Sequence, residues 1–370
     1  MFGCEIDEEY LMTPEEKMLH LRFYDECPYK DLAKRFMWWE WEDKVAAVLH
    51  VVRCREFTDW DPKIQFRKPN RMCEYNIAFF DLDEECEHYP SSKIVHGPLF
   101  RDIPPSRYYF LDESINVISI KVAESDVRYP VRIYGTVLAR DLNDYRCVYL
   151  FKRGRDDPQL ITRKNRKLAL TGPYRALGGT DIIYFEFHLK IKGDGPVDED
   201  FSRGLYKCVP YRYTPDVPRT FPLVSYLSTV EMVSMLVSCA LEASIAVNFL
   251  NGKSTFTGKI FASASGSETA KMVLYDGQAA GAKTEHGDGG SVSLDRHIVA
   301  VPFGEDLLLF FSVQDSCNKS RGIKFVIRNG VDERICNLGS YKLQVKIVWK
   351  GVFRQRNHVL RVRGDDLVLW

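Results

Sequence analysis

A chain of 370 residues that is 45% hydrophobic and 28% charged can bury a sizeable core, which excludes general disorder and suggests two or three domains. Its longest stretch without a charged residue, Thr220 to Val230, is far short of the roughly 20 apolar residues of a membrane-spanning helix, so no membrane partner is expected. The formal net charge of zero hides a split. Residues 1–113 carry 15 Lys+Arg against 24 Asp+Glu, a balance of −9, and residues 114–370 carry +9. Ten scattered cysteines with no C-x-x-C pair imply reduced thiols and not a disulfide framework. Met1–Glu9 has neither a basic nor an apolar leader, so a cytoplasmic location is expected, with the nucleus second.

The acidic region, 1–113, opens with a capping box at Thr13-Pro14-Glu15-Glu16. From Lys30 to Glu56, Leu32, Phe36, Trp39, Ala46, Leu49 and Val52 recur at helical spacing, so a mostly helical N-terminal region is predicted. The Trp38-Trp39-Glu40-Trp41 cluster fits helix packing better than a ligand cage. From Trp60 to Pro105 the pattern predicts loop, with one short strand near Tyr75–Phe80.

From Ile115 the period becomes two. Alternation at Val117–Val122, Val131–Ile133, Cys147–Phe151, Ile183–Ile191, Ile245–Leu250 and Leu343–Trp349 predicts strands, and Leu227–Leu241 is also read as strand. Asn329-Gly330 between two apolar runs predicts a type I′ hairpin. Four elements recur in order. Gly135-Thr136-Val137-Leu138-Ala139 matches Gly258-Lys259-Ile260-Phe261-Ala262, and counterparts of Val148–Phe151, Leu168–Leu170 and Asp181–Phe185 follow, at lags of 123 to 125 residues. The expected fold is mainly β: two related β-sandwich-like units in tandem behind the helical region. Their boundaries are 114–195 for the first unit, 196–228 for a Pro/Tyr-rich linker, 229–352 for the second unit, and 353–370 for a C-terminal hairpin or tail.

Several of these stretches also carry a family resemblance. Tyr134-Gly135-Thr136-Val137-Leu138-Ala139-Arg140-Asp141, Leu170-Thr171-Gly172-Pro173, Leu189-Lys190-Ile191-Lys192-Gly193, Leu294–Val301 and Tyr341–Trp349 are similar to the DUF6598 domain, a family of unknown function expanded in grasses. Some of its members are associated with ribosome-inactivating, jasmonate-induced proteins. The resemblance implies a plant defence or stress setting and supplies no catalytic residue.

The residues offer no complete catalytic constellation. No glutamate is followed by arginine three positions on, the pair that adenine depurination would use to stabilise positive charge and handle the leaving base. Zinc spacings and the G-x-S-x-G elbow are absent, and no cofactor or metal is expected. Gly287-Asp288-Gly289-Gly290 lacks a P-loop lysine and fits a β-turn. His188 between Glu186 and Lys190 fits a solvated strand face, and Cys147 and Cys239, inside apolar runs, fit buried thiols. One charged feature remains: Lys152, Arg153, Arg155, Arg163, Lys164, Arg166 and Lys167, seven cations within sixteen residues with tyrosines nearby, a candidate polyanion- or RNA-binding surface. The function expected is a non-catalytic interaction module with a protein partner; the alternative is a ribosome- or RNA-directed cytotoxic protein. No oligomeric state is legible.

Overall fold

The computed structural model describes residues 56–72, 82–85, 97–141, 144–193, 195, 198–251, 255–277, 290–314, 320–339 and 341–353. The capping box, nearly all of the tryptophan-bearing run, the Tyr75–Phe80 strand and the tail beyond Phe353 lie outside them. What is described of the acidic region corrects the helical expectation. It holds a hairpin of β1 (Thr58–Asp61) and β2 (Phe66–Pro69), then 3-10 turns at Phe100–Asp102 and Pro105–Phe110. Pro62, Pro69, Pro98, Pro104 and Pro105 account for this, since proline lacks the N–H a helix interior needs.

The body is built from antiparallel sheets. The strands are β3 (Ser114–Ser125), β4 (Val131–Asp141), β5 (Asp144–Arg153), β6 (Gln159–Ile161), β7 (Leu177–Gly178), β8 (Ile183–Ile191), β9 (Glu199–Cys208), β10 (Arg219–Ser225) and β11 (Ser228–Val237). They continue as β12 (Ala240–Asn251), β13 (Lys259–Ala264), β14 (Met272–Asp276), β15 (Ile298–Pro302), β16 (Leu307–Gln314), β17 (Ser320–Ile327), β18 (Glu333–Leu338) and β19 (Tyr341–Gly351). In the first half, a sheet ordered β10-β11-β3-β7 faces one ordered β5-β4-β8-β9, with β6 paired to β4. Val117, Val137, Leu150, Phe185 and Val230 meet between them. In the second half, β18-β19-β12-β15 faces β14-β13-β16-β17 around Ile245, Ile260, Leu309 and Val345. Alternation turns an apolar face inward, as in β19, while β15 is buried on both faces.

The two orders correspond strand for strand: β3 with β12, β4 with β13, β5 with β14, β8 with β16, and so on through β11 with β19. Three of the four collinear sequence elements fall on these equivalent strands, β4/β13, β5/β14 and β8/β16, while Leu168–Leu170 and its counterpart lie in the segments before β7 and β15. A Cβ on Gly135 would lie 2.1 Å from the carbonyl oxygen of His188 in β8, and one on Gly258 would lie 2.4 Å from that of Ser312 in β16. In each unit the glycine lets the next strand approach at the same register.

Two sequence expectations fail here. Residues 196–228 are not a linker: they carry β9 and β10, two strands of the first sandwich, whose proline-bearing β10 takes an edge where a missing N–H is tolerated. The sandwiches are joined instead by Ser238 and Cys239, between β11 and β12. Asn329-Gly330 does not close a hairpin, because β17 pairs with β16 in one sheet and β18 with β19 in the other. Gly330 alone takes positive φ, 79°, whereas a type I′ turn needs it at both central residues. The Asn329 side chain is used elsewhere, accepting from the Gly304 N–H (2.8 Å) and donating to the Glu305 carbonyl (2.8 Å).

Where the sandwiches meet, Met235, Val237, Ala240, Ala270, Ala300 and Val352 form a small apolar seam. Buried polar groups cross it. The Asn116 amide donates to the Ala300 carbonyl (2.7 Å) and accepts from its N–H (3.0 Å). Glu242 accepts from the Ala176 N–H at 2.7 Å, and the fully buried Arg296 donates to the Val117 carbonyl.

Gly135 has φ +114° as well as the close approach, so Gly135→Ala is expected to cost about 2–3 kcal/mol in urea unfolding. Gly154, whose Cβ would meet nothing within 4 Å, provides the control: Gly154→Ala should be near neutral.

Candidate functional site

The seven sequence-selected cations divide into two sets. Lys152 and Arg153 end β5, and Arg155 lies within the turn that follows, in which the Asp157 N–H donates to the Gly154 carbonyl at 3.1 Å. Each of the three has a carboxylate. Lys152 Nζ is 2.8 Å from Glu85 and 4.0 Å from the Tyr149 ring centre. Arg153 is 2.9 Å from Asp157, and Arg155 Nε is 2.6 Å from Asp198. Asp198 also accepts from the Tyr134 hydroxyl (2.6 Å) and the Gly193 N–H (3.0 Å). Hydrogen bonds from Arg155, then Tyr134, then Gly193 hold its carboxyl well below the usual range. Burial and the bond to Asp198 push the Tyr134 phenol up to about 12. This first set fastens loops to the sheet.

The second set stands open. Arg163, Lys164, Arg166 and Lys167 are all exposed, on the loop that leaves β6 and passes β3. The loop is rigidly tied. The Thr162 N–H donates to the Asn165 carbonyl (3.0 Å), the Asn165 N–H to Thr162 Oγ1 (3.0 Å), and the Leu168 N–H to the Ile120 carbonyl (2.9 Å). Arg166 donates to the Ala123 carbonyl (3.0 Å) and lies 5.9 Å from the Tyr129 ring centre. None of the four cations has a carboxylate partner among the described residues. The fold adds Tyr129, from the turn between β3 and β4, to this loop. Sequence reasoning missed it because the pairing of β4 with β6 brings it to the loop from some 35 residues upstream.

Other charged residues are spent inside. Arg140 in β4 lies 2.8 Å from Glu186 in β8, and both are buried. Met72 N–H donates to the same carboxylate at 2.8 Å, and Arg140 also reaches the Leu82 carbonyl at 2.6 Å. Arg175 grips Asp141 through two bonds of 2.6 and 3.0 Å. The Glu186–His188–Lys190 row is therefore divided. Glu186 turns to Arg140, while His188 and Lys190 approach Asp200 at 3.5 and 3.7 Å. Cys147 is buried, its thiol raised chiefly by desolvation. Cys239 is exposed, against expectation, because it occupies the turn between sandwiches with φ 45°. Of Gly287–Gly290 only Gly290 is described, with φ +78°.

One groove of about 430 Å³ opens beside β19, between Leu99–Arg101, Asp332–Glu333 and Lys346–Trp349. Among its aromatics, Phe100 stacks on Tyr108 (5.4 Å) and the ring of Trp349 is turned into the core, its Nε1 bonded to the Val331 carbonyl (2.9 Å). No group of three or more His, Cys, Asp or Glu suited to a metal occurs among the described residues. No described helix is long and apolar enough to cross a membrane.

The Asp198 node yields a pH prediction. A carboxyl whose folded pKa is depressed contributes stability above its unfolded value, near 4, and loses it as pH falls. Asp198→Asn should therefore be less stable than the wild type at pH 7, with the difference shrinking in unfolding titrations run below about pH 4.

No curated protein matches the sequence. Among solved structures, human GIVD cytosolic phospholipase A2 is 9% identical with a TM-score of 0.20, the match covering 64% of this chain and 30% of that one. The chain thus spans about a third of the phospholipase's length. The two C2 domains of calcium-bound Extended-Synaptotagmin 2 are 8% identical with a TM-score of 0.21, covering 66% of this chain and 98% of that one. Likeness at this level carries neither fold nor function. The family model is different in kind: residues 114–347, both sandwiches from β3 into β19, match the domain of unknown function DUF6598, and the chain belongs to that family.

Proposed function

We propose that this protein is a non-catalytic binding module whose partner is a protein with an acidic surface. The observation that carries this reading is the open cationic loop. Lys152, Arg153 and Arg155 are consumed in internal pairs, whereas Arg163, Lys164, Arg166 and Lys167 project without carboxylate partners among the described residues, from a hydrogen-bonded loop on a sheet frame. Preset charge of this kind favours fast, selective docking of an opposite surface. The resemblance to DUF6598 supports a setting in plant defence or stress physiology.

Binding of the full chain to poly-glutamate, measured at two salt concentrations, tests the loop. Replacing the four cations by alanine should weaken it about tenfold or more, and the wild-type advantage should shrink with salt as screening shortens to about 8 Å. Undiminished binding by the substituted chain would contradict the proposal.

A second reading, RNA- or ribosome-directed action, draws on the groove beside β19, where Glu333, Arg101 and Phe100 converge. Its rings do not form a facing pair able to sandwich a base, because one packs on Tyr108 and the other points inward. Ribosomal RNA exposed to the protein and then to aniline is expected to stay intact. Scission that Glu333→Gln abolishes would establish the second reading in place of the first.

A further inference from the structure

The edge of β5 carries a second feature, away from the cationic loop. β5 is an outer strand of its sheet, so its free N–H and C=O groups invite another strand. At Leu150 the Thr171 N–H closes that edge (2.8 Å). At Cys147 the cover comes from far upstream: Glu85 pairs with Cys147 in parallel, and the Cys147 N–H donates to the Glu84 carbonyl at 2.9 Å. Side chains reinforce the seat. Leu82 is buried beside Met72 and Tyr184. Glu84 lies 3.1 Å from Arg146, Glu85 2.8 Å from Lys152, and Asp83 2.9 Å from Arg71. In the second sandwich the equivalent strand, β14, is covered at Leu274 by the N–H groups of Asp295 and Arg296, only some 20 residues away. The cover of β5 lies outside the span matched by the family, 114–347.

We propose that the β5 edge is a docking site for an extended acidic peptide headed by an aliphatic residue, and that Leu82-Asp83-Glu84-Glu85 occupies it in cis. A partner's segment of the same pattern would add to the sheet through Cys147, drop its aliphatic side chain beside Met72, and place two carboxylates on Arg146 and Lys152. Main-chain pairing supplies affinity and the flanking cations supply selection. The intramolecular segment competes at a high effective concentration, so it sets the threshold a partner must exceed. This rests on reading the protein as a binding module, but not on the loop at 163–167.

The probe is a synthetic peptide of residues 80–87 with serine for Cys86, titrated into the full chain. Glu84→Lys with Glu85→Lys repels the internal segment from Arg146 and Lys152, and this chain should bind the peptide at least tenfold more tightly than the wild type. Glu84→Gln with Glu85→Gln, a milder change at two partly exposed positions, should show a smaller gain. Binding should slow hydrogen exchange at the Cys147 amide, and a peptide carrying Asp for Leu82 should not bind. Alanine at Arg163, Lys164, Arg166 and Lys167 should leave peptide binding unchanged, which separates this site from the loop. Failure of the peptide to bind either opened chain, or binding without slower exchange at Cys147, would overturn the proposal.

Discussion

One buried amide governs how the two sandwiches sit. β15 is the outer strand of its sheet, and an edge buried against another body must find partners for its N–H and C=O groups. Asn116 in β3 supplies both, bonding the N–H and the carbonyl of Ala300 at once. Each buried backbone group left unpaired would cost about 1–3 kcal/mol, more than the modest net gain of making the bond, so Asn116 acts mainly by specifying one docking geometry. Glu242 on Ala176 and Arg296 on Val117 repeat the principle across the same seam, each joining a side chain of one unit to backbone of the other.

The same economy runs through the charged residues. Glu186 answers Arg140 and also caps the Met72 N–H; Asp141 answers Arg175 and also accepts from Gly178 at 2.8 Å. Carboxylates that hold a cation and a backbone N–H together fix loops onto sheets. They resemble acid–base pairs in composition but lie under packed side chains, where they have no access to a substrate. The acidic stretch before β3 is used likewise: Asp59 meets Arg203 at 2.9 Å, and Glu84 and Glu85 meet Arg146 and Lys152. The opposite charge balances of the two regions thus have a local expression in the described contacts.

Strand positions were legible in the sequence where burial imposed a period of two, as at Leu343–Trp349 in β19, and the repeat was legible because Gly135 and Gly258 serve the same close approach. Pairing was not legible. Asn329-Gly330 has the composition of a hairpin, yet its strands belong to opposite sheets, a choice made by long-range contacts that local propensity does not encode. The prolines and tyrosines of 196–228 suggested a linker because proline is tolerated on the edge strand β10 as readily as in a loop. In the candidate site, seven adjacent cations gave no sign of which were neutralised: Glu85 and Asp198 approach Lys152 and Arg155 only through the fold.

If the Asn116 clasp governs the junction, the chain should melt as one unit. Scanning calorimetry of the wild-type protein should show a single transition whose calorimetric and van't Hoff enthalpies agree. Asn116→Ala should separate it into two transitions, one for each sandwich. Two transitions in the wild type, or a single unshifted one in Asn116→Ala, would contradict the account.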